Sequence, residues 1–359
     1  MRWWVAGVLF LVIWVEACAA AGGDVPAKVP FRKLVVLGVL QRDMEGRPFI
    51  SPMEVALDPE TLEIYVSDPS RSEIAIFSPD FFPRFTLGRG RGLSSPYGVW
   101  VDREGNIYVC QAASREKPAR LSIFNGAGIL EKEFFFPDYS FEGAADFKPR
   151  SVAVDKRFIY VAGEEFEGVV VLDKEGRFVR IISVRDRVVP GMPKEKALIN
   201  DVYVDKKGRL YLVSAQMGRF YVFDSLGHFL FKGGKKGGGP GKLSRPSGVA
   251  ADPNLGLILV IDYMRHTGLA YSYQDGRFLF EFGGRGFSPG WFNYPTDIAI
   301  DPKGRIYVAD LFNRRVQVFV LGGEEGVYSP VPSFVTPLRP IETPKGGKSR
   351  KKRGKEAQP

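Results

Sequence analysis

The chain has 359 residues, 45% of them hydrophobic, with a net charge of +9, two cysteines and two histidines. That is ample apolar material for a sizeable core, and too little Cys and His for a disulfide framework, a Cys/His metal cluster or covalent haem. Seven Lys/Arg and one acid fall in residues 345–359, leaving +3 for residues 1–344, so the basicity belongs to a tail and the rest is near neutral.

Met1–Gly23 opens with a single cation, Arg2, followed by an apolar run from Trp3 to Val15. Thirteen residues is the length of a signal-peptide core and is short for a bilayer span. The predicted leader is therefore residues 1–23. Val15-Glu16-Ala17-Cys18 resembles a bacterial lipoprotein cleavage box with Cys18 as lipid acceptor. Glu16 departs from that pattern, and ordinary cleavage among Ala17, Ala19, Ala20 and Ala21 is the alternative. Residues 24–33 read as a linker.

From residue 34 to 321 the chain repeats. Pro-x-x-[VI]-x-x-Asp recurs at Pro52/Val55/Asp58, Pro96/Val99/Asp102, Pro149/Val152/Asp155, Pro246/Val249/Asp252 and Pro295/Ile298/Asp301, with Ile199/Val202/Asp205 as the variant copy. The aspartates are 44, 53, 50, 47 and 49 residues apart. A period of roughly 45 to 50 with several short strands per unit is the spacing of propeller blades, not of helical-pair repeats. The clearest copy, residues 293–319, reads as three strands, with Pro302-Lys303-Gly304 turning between the first two. Its units are too small to bury both faces alone and must stack. The predicted fold is all-β, a six-bladed β-propeller. Blade six lacks a fourth strand of its own, since Leu321 is followed by Gly-Gly-Glu-Glu-Gly, whereas residues 31–38 (FRKLVVLG) have the form of one. The N-terminal strand is thus expected to pair with the last blade and close the ring.

The pattern resembles the NHL-repeat family, with its P-x-G-V-A-x-D and G-x-I-Y-V-A-D-x-x-N-x-R-V-x-V-F segments. Blade six matches almost throughout, blades five (PSGVAAD) and two (PYGVWVD, GNIYVC) well, the others loosely. The resemblance implies a binding scaffold, a role that the fold alone does not narrow further.

Function is sought in the loops. Two connections are long: residues 134–150, rich in aromatics, and residues 181–200, with Arg185 and Arg187. Blade two adds the Gln111–Arg120 loop with Arg115, Lys117 and Arg120. Aromatics and arginines on protruding loops suit a protein interface, which nominates those five cations with Phe135, Phe136, Tyr139, Phe141, Phe147 and Arg150, and with Tyr97 and Tyr294. The alternative for the phenylalanines is a local cap on the core. The Asp-x-x-Arg after strand two (Asp68, Asp262, Asp310) reads as a structural turn, replaced in blades two to four by Gln111, Gly163 and Ser214. Cys110 reads as a core residue.

Just inside strand one the six copies place Glu54, Gly98, Ser151, Asp201, Gly248 and Asp297. Glu54, Asp201 and Asp297 with Asn200 are weak candidates for an oxygen-rich Ca²⁺ site at the channel mouth. Against this, the same carboxylates are read as hydrated or bonded to backbone N–H groups. No catalytic residue is nominated and no cofactor is expected. Residues 322–359 read as a Pro-containing, then basic, disordered tail able to hold an anionic membrane or acidic partner. The resulting expectation is an exported, membrane-anchored, non-catalytic scaffold in the cell envelope or periplasm. Its partner is another envelope protein and not nucleic acid. A metal-dependent propeller hydrolase or lyase is the alternative.

Overall fold

The computed structural model describes residues 31–322; the expected leader with Cys18, the first part of the expected linker, and the expected tail from residue 323 lie outside them. Six four-stranded antiparallel sheets follow one another around a closed ring. Blade one is Val55–Leu57, Ile64–Asp68, Glu73–Phe77 and Pro83–Leu87, with the first strand innermost, and blades two to five repeat that order. Blade six takes Pro295–Ile300, Ile306–Asp310 and Arg315–Leu321 from the C-terminal end and Leu34–Leu40 from the N-terminal end. The closing strand runs antiparallel to its partner, from Leu34 opposite Leu321 to Leu40 opposite Val316, with one irregularity between Val36 and Gly38. The expected closure is therefore present, and the ring has no open seam.

Side chains alternate across a strand, so each inner sheet serves two neighbours. In blade three, Val152 and Val154 pack towards blade two while Ala153 packs towards blade four. In blade four, Leu210 and Leu212 face blade three while Tyr211 and Val213 face blade five. Six apolar clusters result, one in each gap between blades. Each fully buried aliphatic or aromatic side chain contributes about 1.5–3 kcal/mol. Cys110 is buried as well, in the gap between blades two and three.

Helix among the described residues is confined to four single turns, and none is long and apolar enough to cross a membrane. The ring has two unlike ends. One, the turn face, carries the tight connections between strands one and two and between strands three and four. The other, the loop face, carries the connections between strands two and three and the long passages from blade to blade.

The repeated Asp explains the turn face. In blade six Asp301 Oδ1 accepts the N–H groups of Lys303 and Arg305 at 2.9 Å each, while Oδ2 accepts the Tyr307 hydroxyl at 3.1 Å. Tyr108, Tyr160 and Tyr211 do the same for Asp102, Asp155 and Asp205. One carboxylate thus satisfies turn amides and a buried hydroxyl together, which is why Asp and the Tyr of the following strand recur in phase.

Candidate functional site

The central channel is a cavity of about 1150 Å³, bounded by the six inner strands, with Glu54, Asp201 and Asp297 at its loop-face end and Trp100 and Tyr203 on its wall. The two aromatic rings meet edge-on at 5.7 Å.

The six positions inside strand one form a clasp. Glu54 Oε1 accepts the N–H of Val99 in blade two at 3.1 Å. Asp201 Oδ2 accepts that of Val249 in blade five at 2.9 Å, and Asp297 Oδ2 that of Val55 in blade one at 2.9 Å. Ser151 accepts the Val202 N–H at 3.3 Å and donates to Asp201 Oδ1 at 2.7 Å. At the two glycines the next blade comes too close for a side chain. A Cβ on Gly98 would lie 2.8 Å from the Arg150 carbonyl oxygen, and one on Gly248 would lie 2.5 Å from Asp297 Oδ1. Every blade therefore grips its successor at this level, four by an acceptor side chain and two by backbone contact. The signal was present in the repeat alignment, but which neighbour each residue reaches is a property of the ring.

Electrostatics follow from this placement. Burial pushes the Glu54 carboxyl well above the usual carboxylate range, and the nearby charges of Asp297 and Asp201 add to it; the Val99 N–H and Arg150 pull it back. Burial likewise raises Asp201 to about 6, opposed by its bonds from Ser151 and Val249. Asp297 is raised well above its ordinary value by burial and then by Asp201. Asn200 is occupied elsewhere, its amide donating to the Pro246 carbonyl and its Oδ1 accepting the Ala215 N–H at 2.7 Å. Among the described residues no three or more His, Cys, Asp and Glu side chains are placed to share a metal ion.

The loop-face nominees divide. Phe136, Phe141 and Phe147 are buried in the cluster between blades two and three, with Phe136 and Phe147 rings 4.6 Å apart. Arg120 is 1% exposed, its guanidinium held by Glu133 at 2.8 Å, Gln111 at 2.9 Å and the Gly92 and Pro118 carbonyls. These four are corrected from interface to core: the three phenylalanines cap the core locally, their rings gaining more from burial than from water, and Arg120 is taken up by Glu133 and Gln111. Tyr139 is half-buried and donates to the Gly176 carbonyl at 2.6 Å, and Phe135 is half-buried in the outer strand. Lys117 is ion-paired with Glu133. Arg115 and Arg185 remain exposed, and Arg187 is half-buried. Arg185 and Arg187 sit on a small hairpin, Arg185–Asp186 with Glu195–Lys196, that is pinned by buried Asp186 to Lys232 and Tyr221 of blade four. Arg150 stands over the Tyr97 ring, 4.6 Å from its centroid, at the channel mouth.

Sequence reasoning missed the surface that is exposed. On the loop face of blades five and six, Phe287 is 78% and Phe312 57% exposed, with Met264 and Trp291 also exposed. Phe312 belongs to a row in which Tyr294 meets Tyr263 and Phe312 at 4.9 Å each, and His266 at 4.4 Å. His266 Nδ1 accepts the Tyr294 N–H at 2.9 Å, and burial lowers its pKa. Met264, Phe312 and the pair Phe287 and Trp291 belong to three connections with no shared sequence period, so only the folded blades place them on one face.

The strand-two aspartates are structural, as read. Asp262 accepts the N–H groups of Ser244, Arg245, Met264 and Arg265. In blade two Gln111 takes over, accepting the Ser94 N–H at 2.6 Å.

No curated protein sequence matches the chain. Among solved structures it is similar to a structural-genomics protein of unknown function from Bacteroides thetaiotaomicron VPI-5482, at 13% identity and a TM-score of 0.57 over 80% of this chain and 76% of that one. It is also similar to a streptogramin B lyase, at 11% identity and a TM-score of 0.52 over 79% of this chain and 98% of that one. At such identities the likeness is one of fold. The family model for the NHL repeat matches residues 292–319. The chain is thus a six-bladed β-propeller whose last blade carries a match to the NHL repeat.

Proposed function

We propose that this propeller is a non-catalytic scaffold, exported and anchored at a membrane of the cell envelope, that binds another envelope protein through its loop face. The observation that carries the reading is the exposed aromatic surface of blades five and six, built on Phe287, Trp291, Phe312 and Met264. Aromatic and methionine side chains clustered beside arginines (Arg245 lies over Tyr263 at 5.6 Å) are the composition of protein-binding hot spots. Export and anchoring rest on the leader-like residues 1–23 and on Cys18. The channel-mouth carboxylates support the scaffold reading because each has a backbone partner in the next blade.

The test is photo-crosslinking in the native cell, with a crosslinking side chain at Phe287 or Phe312, followed by mass spectrometry of the product and of the mature N-terminus. A discrete protein adduct at these positions, and an N-terminus at or after Cys18, is the expected result. An intact Met1 on cytoplasmic protein overturns export. Stoichiometric Ca²⁺ in the purified protein, lost on Glu54→Ala, would favour a metal-dependent hydrolase or lyase instead.

A further inference from the structure

The opposite end of the ring has its own pattern. Apolar side chains stand at the tips of its tight turns: Phe82 is 60%, Ile129 57% and Leu226 66% exposed, and Leu255 is exposed as well. Residues at the tip of a two-strand turn have no packing partner to gain there, and the polar alternatives are common, so repeated large apolar tips on one face are informative. The face is charged unevenly: exposed Lys156, Arg157, Lys206 and Lys207 gather on blades three and four, with Arg103 and Lys303 on blades two and six, while the exposed acids Glu60, Asp80, Glu104 and Asp275 lie on blades one, two and five. In blades three and four the cations surround Leu226, because the Arg157 guanidinium donates to the Ser225 carbonyl and draws the two turns together. Among the described turn residues of those two blades, Glu175 is the only fully exposed acid, and it is ion-paired with Arg177. The turn aspartates are consumed internally by turn amides and tyrosines.

The chain also enters and leaves the ring here. Leu34 is opposite Leu321, and the Gly322 N–H donates to the Lys33 carbonyl at 2.9 Å. The sequence before this point carries the Trp3–Val15 apolar run, and the sequence after it carries the seven Lys/Arg of residues 345–359.

We propose that the turn face is a membrane-docking surface that seats on an anionic lipid bilayer, with Phe82, Ile129, Leu226 and Leu255 at the acyl boundary and the surrounding lysines and arginines among the headgroups. Apolar tips among cations match the chemistry of such an interface, where each basic side chain strengthens binding about fivefold. The cations of blades three and four around Leu226, and the common departure point of both chain ends, select a bilayer over a protein as the occupant. The loop face then points away from the membrane. This orientation does not depend on which protein the loop face binds.

The test is hydrogen–deuterium exchange of the full chain with vesicles of phosphatidylglycerol and phosphatidylcholine in equal parts, against phosphatidylcholine alone. Protection confined to residues 79–83, 126–130, 225–229 and 254–257 with the anionic vesicles is expected. Protection instead at 286–292 and 311–314, or no protected turn in either case, overturns the proposal. In a second arm, Lys156→Glu with Lys207→Glu, both on exposed turns, is expected to lower affinity for the anionic vesicles at least tenfold while leaving the thermal midpoint unchanged. Since leader and tail are identical in both chains, unchanged affinity would assign all membrane binding to them and refute a role for the ring.

Discussion

The Asp297 carboxylate accepts the backbone N–H of Val55 at 2.9 Å, joining residues 242 apart in sequence. It is the inner counterpart of the closing strand: Leu34–Leu40 joins the ends of the ring at its rim, and this bond joins blade six to blade one at the channel. Removing it by Asp297→Ala leaves a buried N–H without an acceptor, a loss of about 1–3 kcal/mol. A lowered urea midpoint with an unchanged slope would register it, whereas an unaltered midpoint would mean that water replaces the carboxylate.

The channel carboxyls also predict a pH dependence. Their folded pKa values lie above those of the unfolded chain, about 6 for Asp201 and well raised for Glu54 and Asp297. The folded state therefore binds more protons than the unfolded one above about pH 4, so the stability these groups allow is greatest in acid and is lost as the pH rises through their folded values. Asp297→Asn retains an acceptor and removes one titration. Its stability should fall less than the wild type's as the pH rises from about 4 to 7. Parallel profiles would show that these carboxyls are freely solvated.

Gly248 tests the backbone half of the clasp. A Cβ there would lie 2.5 Å from Asp297 Oδ1 and 2.9 Å from its Cα. Gly248→Ala should destabilise the ring by about 1–3 kcal/mol, as overpacking does. Gly238, whose Cβ would meet nothing within 4 Å, provides the control: alanine there should leave the thermal midpoint where it is.

Arg120 is predicted to matter for folding and not for recognition. Its guanidinium is buried against Glu133 and Gln111, and truncating one member of a buried pair costs about 3–5 kcal/mol. Arg120→Ala should lower stability by such an amount, and exposed Arg115→Ala by less than about 0.5 kcal/mol. Equal effects would contradict the burial of the first.

Cys110 should be inert in the native protein. Burial removes the thiol from solvent and raises its pKa, suppressing the reactive thiolate. Peptide mapping after treatment with a thiol reagent should find Cys110 modified only when denaturant is present. Modification under native conditions would indicate local opening between blades two and three.

Much of this protein is written in its repeat. Pro295, Ile298 and Asp301 and their five counterparts mark each inner strand and the turn that ends it, because a strand's alternation and a tight turn's Asp and Gly are local requirements. The missing fourth strand after Leu321 likewise pointed to closure by residues 34–37, and the structure extends that strand to Leu40. Glu54, Asp201 and Asp297 line the channel, but their bonding partners were not legible, since Val99, Val249 and Val55 belong to the next blade. The exposure of the nominated loop residues was legible only in part. Phe136, Phe141 and Phe147 occupy a long connection, where exposure and local burial leave the same mark on a sequence.

The amino-acid order alone thus determined the number of blades, the strands within them and the way the circle shuts, all consequences of short-range periodicity and turn chemistry. Tertiary structure decided which side chains solvent can reach. It drew the aromatics of blades two and three inward, and it brought Met264, Phe287, Trp291 and Phe312 together on one surface and the apolar turn tips together on the other. Exposure depends on what packs alongside, and in a ring of radial sheets that neighbour comes from roughly one repeat further along the chain.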